Sequence, residues 1–151
     1  MVTTFTTREL CRDELVSKFV TNASWQNVYG YFPAASELVG KTPVLLVLSD
    51  GTLQRFANLE TNPVSYQFLL INFVLADSDS DSWTPALASD NLDDLDRAIR
   101  QLIRDNAGSL TTATNLRFAD GFSQRRDMNV GGKPYMTETY TVIADLARGA
   151  I

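Results

Sequence analysis

The sequence predicts an α+β fold: a mostly antiparallel β-sheet with two main α-helices packed on one face, and long strands reaching neighbouring subunits. Three observations lead there. Val64–Ala76 and Tyr135–Leu146 are long runs with strand character. Two other stretches repeat their apolar residues at helical spacing. The order runs helix, strands, helix, strands, with no internal repeat and no linker, so residues 1–151 read as one domain. A chain of that length hides about 70% of its unfolded surface and needs no disulfide or metal to hold it.

The first helix opens at Thr6, with Glu9 three residues on in capping-box spacing. Leu10, Cys11, Leu15, Phe19 and Val20 form its apolar stripe, and Thr21–Ser24 ends it. Cys11 stands on that stripe with no His or Lys near it in sequence, so it reads as a buried helical residue and not a reactive thiol. Val28–Phe32 is a short strand stopped by Pro33. Val44–Leu48 is a buried strand, and Asp50-Gly51 is a tight-turn signal that sends Thr52–Ala57 back as a hairpin.

Asn62-Pro63 then turns the chain into Val64–Ala76. Val64, Tyr66, Phe68 and Leu70 fall on one side of this strand. Leu69, Ile71, Phe73 and Leu75 fall on the other. Two apolar faces mark a central strand covered on both sides. At ~3.3 Å per residue its roughly thirteen residues span ~43 Å, long for a small domain, so part of it is expected to project and meet another subunit. Phe73 is the candidate interface residue on it. The other reading is a bent or bulged strand held within one core.

A polar loop, Asp77–Ser82, follows, with Trp83 as its one large aromatic. Ser89 or Asp90 caps a second helix from Asn91 to about Asn106. Acidic Asp93, Asp94 and Asp96 come early in it and Arg100 and Arg104 late, as the helix dipole favours. Ala107-Gly108 ends it. Leu116–Phe118 opens a strand, the segment through Val130 is polar, and Gly131–Pro134 is a turn. Tyr135–Leu146 is then a half-exposed strand, with Met136, Tyr140, Val142, Ala144 and Leu146 on one face and Thr137, Thr139 and Thr141 on the other.

Composition narrows the functions. There is no histidine, which removes the commonest general base and zinc ligand. The net charge of −5 argues against binding nucleic acid by phosphate neutralisation. No run of about 18 apolar residues is present, so no membrane span is expected, and Met1–Phe5 does not have the basic-then-apolar form of a signal peptide. Asn22-Ala23-Ser24 has the glycosylation pattern but no such signal precedes it.

The chemical candidates are few. Asp77-x-Asp79-x-Asp81 has the opening of a calcium loop, but Ser82 stands where glycine is needed and Ala88 where the bidentate glutamate is needed, so a solvated acidic loop is expected and no metal. Arg125-Arg126, just after Phe122, reads as a small basic contact or a solvated turn. No phosphate loop, dinucleotide fingerprint or nucleophile elbow appears, so neither cofactor nor catalytic residue is expected.

The capped N-terminal helix, the aromatic strand Val28–Phe32, the long strand into an acidic loop, the helix Asp93–Ile103 and the closing strand Tyr135–Ile143 together resemble the tail terminator (tail completion) proteins of tailed bacteriophages. The likeness covers most of the chain and is one of element order, with no diagnostic motif. It implies a homo-oligomeric ring, usually a hexamer, that sits on the phage tail tube protein, ends elongation and meets a head-completion or connector protein. It places the protein in the virion, at the head–tail junction, after assembly in the host cytoplasm. Genomic DNA would pass through the bore without specific binding, and no catalytic residues are implied. Within that setting Phe73, Trp83, Phe122, Arg125 and Arg126 are the candidate interface residues, and the polar loops around Asp50-Gly51, Asp77–Trp83 and Gly121–Gly132 are where a cap would differ from a tube subunit. A head–tail connector or tube subunit is the nearest alternative. A small α+β enzyme or ligand-binding module, with its pocket between helix and sheet, is the alternative of another class.

Overall fold

A computed structural model describes residues 7–38, 42–54, 64–77, 84–119 and 122–146. It is mixed α+β, with three helices and an antiparallel-rich sheet. In chain order the elements are α1 (Arg8–Val20), β1 (Asn27–Tyr29), α2 (Ala35–Leu38), β2 (Val44–Gln54), β3 (Val64–Leu75), α3 (Pro85–Asn106), β4 (Asn115–Phe118), β5 (Gln124–Val130) and β6 (Lys133–Asp145).

The sheet order is β1-β2-β3-β6-β4, and β5 also pairs with β6. Among the described strands only the β1–β2 pair is parallel. β4 and β5 share one edge of β6. β4 takes Val142–Asp145, β5 takes Lys133–Thr139, and Tyr140 and Thr141 stand opposite the break between them. β4 and β5 thus lie along the same edge of β6.

β3 is the centre. It pairs with β2 from Val64 to Phe73 and with β6 from Ser65 to Leu75, and none of its residues is exposed. Within the subunit β3's length is taken up in the sheet: β2, with 11 residues, and β6, with 13, run beside nearly all of its 12. β2 keeps pace with it through a bulge. The register slips between Ser49 and Gly51, leaving Asp50 unmatched, and the strand runs on to Gln54. Asp50-Gly51 is therefore a bulge and not a hairpin turn. A Gly at φ +154° lets the strand absorb the extra residue, and Gln67 on β3 donates to Asp50 Oδ2 at 2.6 Å.

Two helix starts also differ from expectation. α1 is capped by Thr7, whose hydroxyl accepts from the Leu10 amide, and not by Thr6. α3 begins at Pro85, capped by Thr84, six residues before the expected start. Proline at the first helical position loses no intrahelical bond, so Pro85 is compatible with the start of the helix.

Alternation along the strands splits the apolar side chains into two clusters. The larger joins Cys11, Leu15 and Phe19 of α1 and Leu92, Leu95 and Ile99 of α3 to sheet residues such as Val47, Phe68, Leu70 and Val142. Trp25 completes it, edge-on to Phe19, and its indole N–H donates to Asn72 Oδ1 at 2.7 Å. The smaller cluster is on the opposite parity: Leu38 of α2 packs with Val44, Leu46, Ile71, Phe73 and Tyr135. The strand β5 was expected only as a polar segment. Its side chains are exposed from Gln124 to Asn129, so it has no apolar alternation to read, and its backbone ladder with β6 alone makes it a strand. Gly131 and Gly132, at φ +60° and +80°, close the β5–β6 hairpin in the paired left-handed conformation that a two-residue turn requires.

Candidate interaction surface

The larger cluster fills one side of the sheet, whereas α2 and Phe32 cover only part of the other. Phe32 stacks edge-on to Phe73, and Phe73 in turn to Tyr135. Toward the β4/β5 edge that cover ends. There Thr137, Thr139 and Thr141 form a column on β6, and Gln124, Arg126 and Met128 form a second column beside it on β5. Leu69 and Ile71 of β3 make the floor and Phe122 stands at one end, 85% exposed. The result is an open depression of about 400 Å³. It is apolar at its base, hydroxyl-lined along its length and cationic at one point, Arg126.

The five candidate residues separate sharply in this frame. Phe73 is fully buried in the subunit's own core, so it is withdrawn as an interface residue: its ring lies one layer beneath any surface a neighbour could touch. Trp83 lies outside the described residues, as do Asp79 and Asp81. Phe122 and Arg126 meet at the depression. Arg125 does not, because adjacent strand residues point to opposite faces.

On its own face Arg125 closes an ion network that sequence reading missed. Its Nε donates to Glu138 Oε1 at 2.7 Å and its Nη1 to Ser89 at 3.2 Å, while Nη2 pairs with Asp93. Glu138 is 4% exposed. The Tyr140 hydroxyl donates to Asp96 Oδ1 at 2.6 Å and also contacts Glu138. Arg100 holds Asp96 from the next helical turn, its guanidinium 5.3 Å from the Phe118 ring centre and 5.8 Å from that of Tyr140. Burial first, then the two neighbouring carboxylates, push the Tyr140 phenol far above its ordinary value. The bond to Glu138 raises Arg125 further, against burial. These groups satisfy one another and tie α3 to β5 and β6, which is a structural role. The one signal available in the sequence was Glu138 set between threonines on an otherwise alternating strand.

Elsewhere, Glu14 of α1 accepts the amides and hydroxyls of both Thr111 and Thr112 at 2.6–3.1 Å. Burial alone would raise its carboxyl, but the four donors together outweigh it and hold the group at about 2. Cys11 is buried and its thiol is pushed up by that burial, with a hydrogen bond to Thr112 opposing. Among the described residues no group of three or more His, Cys, Asp or Glu is placed to hold a metal ion, and no helix is long and apolar enough to cross a membrane. On the helix side a smaller depression of about 260 Å³, bordered by Leu92, Met136 and Arg125, is below the ~300 Å³ of ordinary ligand pockets.

In comparison with known proteins, no protein-family model matches the chain and no curated protein matches it.

Proposed function

We propose that this chain is a structural ring subunit of the tail-terminator type, a protein that caps a tube of other subunits and carries out no chemistry. The observation that carries the reading is the open half-sheet beside β5, a surface part apolar and part polar. A mixed surface of that kind suits contact between subunits that also exist apart. The element order of the chain supports the same reading. In it α1 and α3 back one face of the sheet, and the open face and the β5 edge reach the neighbouring subunit. The ring, a hexamer by resemblance, closes through a heterologous contact, since the same patch does not face itself around such a ring. A cap must match the tube's end on one face and refuse another copy on the other, which is selectivity through misfit as well as fit.

The test is to add the purified protein to growing tail tubes and measure their length. Tubes that stop, with this protein at one end only, are the expected result. Continued growth at saturating protein, with the chain incorporated along the shaft, identifies a tube subunit. A protein that neither assembles nor touches tubes, yet binds small molecules as a monomer or dimer, is a ligand-binding module.

A further inference from the structure

The open half-sheet needs a cover of definite chemistry, and the chain carries a matching surface elsewhere. The outer side of α3, opposite its buried Leu92, Leu95 and Ile99, presents Leu87, Asp90 and Asp94 within two turns. Leu87 is 48% exposed. Neither Asp90 nor Asp94 has an ion-pair partner among the described residues, whereas the α1 carboxylate Asp13 is held by Arg12 and the α3 carboxylate Asp93 by Arg125. Arg126 is in the complementary position: it is exposed, lines the depression, and has no carboxylate partner among the described residues. We infer that in the assembled ring α3 of one copy seats on the open half-sheet of the next, Asp90 and Asp94 facing Arg126 and Leu87 reaching the Leu69–Ile71 floor.

Three physical arguments converge on a second copy of this chain as the occupant. A helix laid on a sheet is the ordinary way to cover a sheet face, and this sheet already takes helices on its other side. The charges are complementary, two carboxylates to one guanidinium, none with an ion partner among the described residues, and Arg offers carboxylates a bidentate fork. Donor and acceptor surfaces lie on opposite sides of the molecule, the helix layer and the bare sheet, so the contact is head-to-tail and propagates from copy to copy until a ring closes. The inference rests on the ring reading above and names its contact.

The experiment measures assembly by sedimentation velocity, alone and with tail tubes. Arg126→Glu is expected to weaken assembly about tenfold or more, as like charges then face each other across the contact. Asp90→Lys with Asp94→Lys is expected to do the same, and all three changes together to restore it. These positions are exposed, so circular dichroism should find every variant folded. Rings that persist unchanged in Arg126→Glu, or a triple variant that fails to recover, overturn this contact while leaving the ring reading standing. A wild-type protein that stays monomeric with and without tubes overturns both.

Discussion

Arg125 and Arg126 are adjacent in sequence and opposite in role. The β5 pleat sends one guanidinium toward buried Glu138 and the other to the open face. Arg125→Ala is therefore expected to cost about 2 kcal/mol, because it strips a charged hydrogen bond from a buried carboxylate. Pairing it with Glu138→Gln should recover part of that loss, whereas Arg126→Ala should leave the urea midpoint of the isolated subunit unchanged. Equal losses from the two alanine variants would contradict the assignment. Glu14 gives a pH-dependent counterpart. Its folded value of about 2 lies below the ordinary 4.5, so the stability it contributes is complete above pH 4.5 and disappears as pH falls toward 2. At pH 7, Glu14→Gln should cost about 1 kcal/mol, modest because solvent reaches the site. Urea melts repeated at pH 3 should bring wild type and variant closer together; a constant gap would show that the carboxylate's charge is not what matters.

At the scale of elements, the strands that were readable are those with apolar faces. β3 and β6 stand out in the sequence because both sides of β3 and one side of β6 meet core. β5 does not, because its side chains from Gln124 to Asn129 are exposed and carry no apolar alternation, while Arg125 reaches back to buried Glu138. The hairpin that holds β5 depends on its turn. A Cβ on Gly131 would come within 2.8 Å of the Ala35 Cβ, in a left-handed conformation as well. Gly131→Ala should destabilise by about 1–2 kcal/mol, and hydrogen exchange should locate the loss in β5. Uniform loss of protection, with β5 no more affected than β1, would argue against this. Phe73→Ala belongs to the same scale: the buried ring joins α2's side of the sheet to Tyr135, and its loss should cost about 3–5 kcal/mol whether or not the protein is assembled. A variant that unfolds normally but fails to assemble would return Phe73 to the interface.

For the whole molecule the sheet is asymmetric. One side carries α1 and α3, and the other is covered by α2 and then left open toward β5. Such a molecule has a helical back and a partly bare front, and copies stacked front to back leave no surface to pair with itself. Raised salt should therefore weaken assembly, since the charged part of the proposed contact is solvent-reached and screened beyond ~10 Å at 0.1 M. Assembly that strengthens with salt would point to the apolar floor alone as its source.

The α+β class, the two long strands and the apolar stripe of α3 were legible in the sequence by itself, because periodic burial writes itself into residue type; of the α1 stripe Cys11, Leu15 and Phe19 are buried, whereas Leu10 and Val20 are exposed. The absence of histidine and the acidic balance, also plain there, narrowed the chemistry. Three things waited for the tertiary structure. Asp50-Gly51 looks locally like a hairpin turn, and only the partner strand β3, long enough to pair beyond it, turns it into a bulge. Phe73 is apolar on either an interface or a core, and only the placement of Phe32 and Tyr135 over it decides between them. Arg125 and Arg126 are the same residue type in the same polar segment, and only the pairing of β5 with β6 puts one against a buried glutamate and the other on an open face. In each case the deciding partner is far away in sequence, and long-range pairing is what a local reading of residues does not contain.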